Sequence, residues 1–163
     1  FMSDFSSWGP LPDLQLKPEI TAHGGEITSA VAGGYDIYSG TSMAAPNMAG
    51  AVALLRQYLK TTTDLSGTAL NARVNQMLMS TATIALNEEG NPYSPRKQGA
   101  GLAGIADAIA AESYITVRDK DGNIRDKTKI ELYDDKEKTG VYTFSFLVNN
   151  LSGKAETDRK SVV

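Results

Sequence analysis

One run in this sequence combines residue types and spacing suited to nucleophilic chemistry: Ser39-Gly40-Thr41-Ser42-Met43-Ala44-Ala45-Pro46-Asn47-Met48-Ala49-Gly50. A hydroxyl becomes a nucleophile for acyl transfer when a base takes its proton and donors await the developing oxyanion. The first amides of a helix are unpaired, and its aligned peptide dipoles present their positive end there. Ser42 in the first turn of a helix would sit in that field. Gly40 allows a tight approach from the extended Tyr35-Asp36-Ile37-Tyr38, while Ala44, Ala45, Ala49 and Gly50 keep side chains short where a substrate and neighbouring strands must come close. Pro46 lacks an amide hydrogen and is tolerated near a helix start. The run therefore predicts a helix beginning between Thr41 and Met43. Gly-Thr-Ser alone is weak evidence, because a serine before a helix is usually only a cap; the full run from Gly40 to Gly50 is far more restrictive.

The elements that must position this serine can also be read. From Met48 the helix continues through Val52, Leu54, Leu55 and Tyr58, apolar on more than one face until Arg56 and Lys60, which predicts burial inside a large domain. Upstream, Trp8-Gly9-Pro10 reads as a turn after an aromatic anchor, and Pro18 with Ile20 as the start of a short buried strand. Lys60 to Gly67 is a polar, threonine-rich loop. Leu70, Val74, Met77 and Leu78 recur at helical spacing and predict an amphipathic helix from Thr68 to Ser80, its methionines serving as core packing. A loop through Asn87 to Pro95 follows, and Gln98-Gly99-Ala100-Gly101-Leu102 introduces a short helix carrying Ile105 and Ile109. Beyond it the pattern turns to short strands at Tyr114–Val117 and Ile130–Leu132, with an Asp121-Gly122-Asn123 turn between them. Val141 to Val148 alternates, with Tyr142, Phe144, Phe146 and Val148 on one face of a half-buried strand.

The run from Gly40 to Gly50, together with Phe5-Ser6-Ser7-Trp8-Gly9-Pro10, Leu16 to Gly25 and the Gly99-Ala100-Gly101-Leu102 stretch, resembles the subtilisin-like serine proteases, peptidase family S8, and in particular their large bacterial cell-envelope and C5a-peptidase-like members. The resemblance implies an α/β chain: the C-terminal portion of a parallel-sheet catalytic domain in residues 1–112, then an incomplete, β-rich, fibronectin-like segment in residues 113–163. It implies a secreted or cell-surface serine endopeptidase acting on protein or peptide substrates, with Ser42 as nucleophile and its amide holding the oxyanion. Gly40, Thr41 and Met43 would position the serine loop and line nearby subsites. The base, its orienting aspartate, the asparagine oxyanion donor and the calcium-binding loops of the intact parent are expected upstream of Phe1, which leaves this chain inactive alone. Its isolated form would expose core surface and self-associate.

His23 is the only histidine. In the family order Asp, His, Ser, a much longer stretch separates the histidine from the serine than the 19 residues between His23 and Ser42. His23 stands where the family usually has proline, in a glycine-rich loop, and reads as a surface residue. Asp4, Asp13 and Asp36 read as turn or surface carboxylates, with no histidine relay to give them a task.

Composition narrows the alternatives. The chain has 163 residues, a formal net charge of -3 and no cysteine, so neither a disulfide framework nor a thiolate metal site can be built. No basic stripe is present to hold nucleic acid, no transmembrane run is visible, and no cofactor or metal can be assigned. A different serine hydrolase, built on a Gly-x-Ser-x-Gly elbow, is disfavoured because Ala44 occupies the last glycine position. A noncatalytic module that retains the fold is the remaining alternative. Residues 113–163 are too few for a seven-strand sandwich, and Lys154 to Val163 does not continue the strand pattern.

Overall fold

The computed structural model describes residues 1–130 and 135–155. Its elements are β1 (Ile27–Val31), β2 (Gly34–Tyr38), α1 (Thr41–Thr62), α2 (Gly67–Ser80), α3 (Pro95–Gln98), α4 (Ile105–Ala110), β3 (Ser113–Val117) and β4 (Phe146–Asn150). The core lies where α1, α2, α4 and β3 meet. Leu55 and Leu59 of α1 pack with Leu70, Val74, Met77 and Leu78 of α2, Ala108 of α4 and Tyr114 of β3. Each fully buried leucine there contributes about 2 kcal/mol relative to an exposed one.

The expected parallel sheet is not what forms. Among the described residues the named strands make two antiparallel pairs, β1 with β2 and β3 with β4, and the one parallel pairing is an isolated bridge from Thr21 to Leu102. The chain is an α/β fold with small two-stranded sheets. The reason is local: only Ala32 and Gly33 separate β1 from β2, and a two-residue link can join antiparallel strands but not parallel ones. Gly33, at φ 90°, supplies the conformation that this tight turn needs. The predicted strand at Ile20 shrinks to the Thr21 bridge. Among the described residues of 113–155 the named strands form one antiparallel pair, β3 with β4; β4 begins at Phe146 rather than Val141, and Tyr142, Phe144, Phe146 and Val148 are all exposed instead of lying on a half-buried face. The strand expected at Ile130–Leu132 falls partly outside the described residues, as does most of the tail from Lys154.

Helix α1 starts at Thr41, within the predicted window, and α2 covers the predicted amphipathic helix. Met48, Val52, Leu55 and Leu59 form one buried or half-buried stripe on α1, but Leu54 is 56% exposed, so the helix is covered along one side rather than all round. Other large apolar side chains are also uncovered, among them Tyr35, Ile37 and Val148. The threonine-rich stretch after Lys60 is partly helical. Thr61 and Thr62 return their hydroxyls to the carbonyl of Tyr58, and Thr63 bonds that of Leu59, so the last turn closes on side chains that a sequence reading assigns to a loop.

A charge cluster ties residues 17–19 to residues 127–129. Glu19 accepts hydrogen bonds from Lys17 Nζ at 2.6 Å and Lys127 Nζ at 2.8 Å, with Lys129 Nζ at 3.6 Å. Burial alone would push the Glu19 carboxyl up, but the hydrogen bonds and charges of Lys127 and Lys17 outweigh it and hold the group below its ordinary value. A folded pKa below the unfolded one means that this contribution is fully present above the ordinary glutamate range and is lost as pH falls through the lowered value. Glu19→Gln is therefore expected to cost about 1–3 kcal/mol at neutral pH, with the gap to wild type closing in acid. Urea unfolding at neutral and strongly acidic pH checks this, and a gap independent of pH would refute it.

Candidate active site

The serine turn is built from the backbone upward. Gly40 precedes α1 with φ 157° and ψ 166°, a combination that glycine enters far more readily than other residues. Its carbonyl receives the amides of Met43 at 3.1 Å and Ala44 at 3.3 Å, which closes the first turn. Among the described residues no side chain caps the helix, so the amides of Thr41 and Ser42 have no partner within the first turn. Pro46 lies inside α1 and has no hydrogen to offer the Ser42 carbonyl four residues earlier. The helix therefore begins, among the described residues, with uncapped amide donors at an exposed start, where the dipole's positive end lies.

Ser42 and Thr41 are exposed, whereas Gly40 and Met43 are half-buried. Among the described residues, no side chain hydrogen bonds to the Ser42 hydroxyl. The turn is fixed from the opposite side: the Gly40 amide donates to the Gly24 carbonyl at 2.7 Å, and the Glu26 amide donates to Ser39 Oγ at 2.8 Å. The segment carrying Gly24 is itself anchored, since the Thr21 amide donates to Gly101 and the Ala103 amide to Thr21. Four of the sequence-predicted positions, Gly40 to Met43, thus form one compact turn held by the strand segment through Thr21.

His23 is exposed and lines a cleft of about 220 Å³ with Phe1, Met2, Ser3 and Leu102, to which Ser42 does not contribute. Asp13 accepts from the amide and side chain of Gln15, and Asp36 from the amide of Ile37, so both act as local turn acceptors. Among the described residues, no group of three or more His, Asp or Glu side chains converges to hold a metal ion, and no helix is long and apolar enough to cross a membrane.

Residues 1–101, more than half of the chain, match the family described as the subtilase family, Peptidase_S8. This chain belongs to the subtilase family. Among similar proteins, the C5a peptidase of Streptococcus pyogenes is 39% identical over 138 residues, covering 79% of this chain and 12% of that protein. The PII-type proteinase of Lactococcus lactis subsp. cremoris is 40% identical over 149 residues, covering 78% of this chain and 8% of the relative. A solved structure of the prenylagaramide maturation protease PagA is 31% identical, with a TM-score of 0.49 over 66% of this chain and 36% of its own. The subtilase segment described here thus spans about a tenth of the length of these two curated relatives.

The contact that sequence reasoning missed in this subtilase segment is the one between Gly24 and the serine turn. The signal available was the Gly24-Gly25 pair, which marks close backbone approach without naming what approaches.

Proposed function

We propose that this chain is the serine-bearing segment of a secreted or cell-surface bacterial serine endopeptidase, with Ser42 as nucleophile. The observation that carries the reading is an exposed serine hydroxyl in the first turn of α1, with no partner and no helix cap among the described residues, inside the stretch that matches the subtilase family. Peptidase and proteinase relatives support a protein or peptide substrate.

In this reading a histidine supplied outside residues 1–163 takes the Ser42 proton, and Oγ attacks the scissile carbonyl to form a tetrahedral intermediate. The Ser42 amide, left free by the helix start, donates to the oxyanion. Collapse transfers the proton to the departing amine and leaves an acyl-enzyme on Ser42. Water, deprotonated by the same histidine, then releases the acyl group and restores the serine. Gly40 sets the backbone angle of the turn, while Thr41 and Met43 flank the nucleophile. Residues 1–112 form the catalytic portion and residues 113–163 the segment that follows it. Without a base the isolated chain is inactive.

A fluorophosphonate probe tests this directly. The isolated chain is expected to take no label, whereas a chimera carrying residues 1–112 in place of the matching segment of the Lactococcus proteinase is expected to label stoichiometrically at Ser42, located by peptide mapping. A chimera that melts cooperatively yet takes no label at Ser42 would overturn the assignment, and stoichiometric labelling of the isolated chain would overturn its inactivity.

A further inference from the structure

We propose that Gly24 is a positioning residue for Ser42, a role that rests on the catalytic reading of Ser42 and acts through the Gly40 carbonyl. Two features of Gly24 converge on the serine turn. Its carbonyl accepts the Gly40 amide at 2.7 Å. Its missing side chain creates the space in which the turn sits: a Cβ built there would lie 2.7 Å from the Gly40 oxygen, 2.9 Å from Ala44 Cβ and 3.3 Å from the Ala44 amide nitrogen.

These atoms are not incidental to the helix start. The Gly40 oxygen receives the amides of Met43 and Ala44, so it anchors the first turn, and the Ser42 amide and hydroxyl are carried on that turn. Gly24 is buried and cannot move its added methyl into solvent. A methyl at this position must displace backbone on one side or the other, and the lighter, solvent-facing partner is the turn from Gly40 to Ala44. The result is a shift of Ser42 relative to whatever base and substrate it meets.

Neighbouring glycines show that this constraint is local. A Cβ at Gly25 would meet only Ser3 Oγ at 3.5 Å, and one at Gly50 would meet nothing within 4 Å. At Gly40 itself the nearest atoms would be 3.7 Å away, so that residue is constrained by its dihedral angles rather than by space. Gly24 is thus the glycine whose lack of a side chain the serine turn requires.

The test has two arms that fail independently. In the full chain, Gly24→Ala is expected to speed hydrogen exchange at the Gly40, Met43 and Ala44 amides by about tenfold or more, as one or more hydrogen bonds weaken, while Gly25→Ala stays within about twofold of wild type. In the chimera, Gly24→Ala is expected to lower kcat by on the order of a hundredfold with little change in KM, the signature of a misplaced nucleophile. Adding Ala44→Gly removes the methyl–methyl contact and is expected to recover part of that loss. Unchanged exchange at Gly40 overturns the proposal, as does a Gly24→Ala chimera with wild-type kcat. Should Gly24→Ala unfold the chain, exchange at the Gly40 amide of the wild-type chain decides, because exchange there as fast as at an unbonded amide refutes the contact between Gly24 and the serine turn. An inactive wild-type chimera would count against Ser42 as nucleophile and leave the exchange arm to decide Gly24.

Discussion

Ser42→Ala, introduced into a chimera that hydrolyses peptide bonds, is expected to lower kcat by on the order of a million-fold, the scale on which loss of the serine acts in enzymes of this mechanism. The expectation depends on the hydroxyl having no structural task. Ser42 is exposed, and among the described residues no side chain is hydrogen bonded to its hydroxyl. Alanine suits a helix at least as well as serine, so the change in stability should stay within about 0.5 kcal/mol. KM should change little, because the missing atom takes part in bond making rather than in holding the substrate. The melting temperature and kcat of the two chimeras, measured side by side, separate the possibilities. Activity within tenfold of wild type would exclude Ser42 as the nucleophile, and a large fall in melting temperature would show that the serine is a structural residue after all.

Locally coded features of this chain were legible in its sequence. The start of α1 followed from Gly40, the small residues after it and Pro46, all within one helical turn or two of each other. The α2 helix followed from Leu70, Val74, Met77 and Leu78, which recur at the helical period and all prove buried. Long-range pairing was not legible. The family resemblance implied a parallel sheet, yet the strands that pair here are neighbours in sequence or lie far apart in the chain, and the Thr21–Leu102 bridge joins residues 81 positions apart. Alternation at Val141–Val148 marked a strand that forms only from Phe146 onward, and it did not mark burial, because alternation reports two faces and says nothing of what covers either. The same gap separates the apolar surface of α1 from its single buried stripe.

The candidate site divides along the same line. The turn that carries Ser42 and its flanking residues was readable because the serine run is contiguous. Gly24 was not, because its role lies in a contact with Gly40 and Ala44 across the intervening hairpin, and nothing in a glycine pair states which backbone comes near. Glu19 shows the other form of this limit: its partners Lys127 and Lys129 lie more than a hundred residues away.

The segment Gln98-Gly99-Ala100-Gly101-Leu102 carries the largest expected effect on stability. Three stretches of chain meet there: the Ala100 amide donates to Glu19, the Leu102 amide to Thr83 and the Thr21 amide to Gly101. Gln98 is 3% exposed, and its side chain accepts from the Ala85 amide at 2.7 Å and donates to the Tyr93 carbonyl at 2.6 Å. At this crossing both glycines have positive φ, 63° for Gly99 and 123° for Gly101. A Cβ on Gly99 would approach the Glu19 carbonyl within 2.3 Å, and one on Gly101 would approach the Thr83 oxygen at 2.4 Å. Alanine at either position combines an unfavourable backbone conformation with a collision against backbone that is itself hydrogen bonded, so neither side can yield cheaply. Each substitution is expected to cost about 3–5 kcal/mol, the upper range for a single residue, much of the stability of an ordinary domain. Gly122→Ala is the matched comparison: Gly122 also has positive φ, at 84°, but open space around it, so it should lose only the conformational part, about 1–2 kcal/mol. Urea midpoints for the three variants would separate strain from collision. Equal losses at Gly99, Gly101 and Gly122 would mean that the crossing is looser than its geometry implies, and that backbone angle alone accounts for the glycines in this motif.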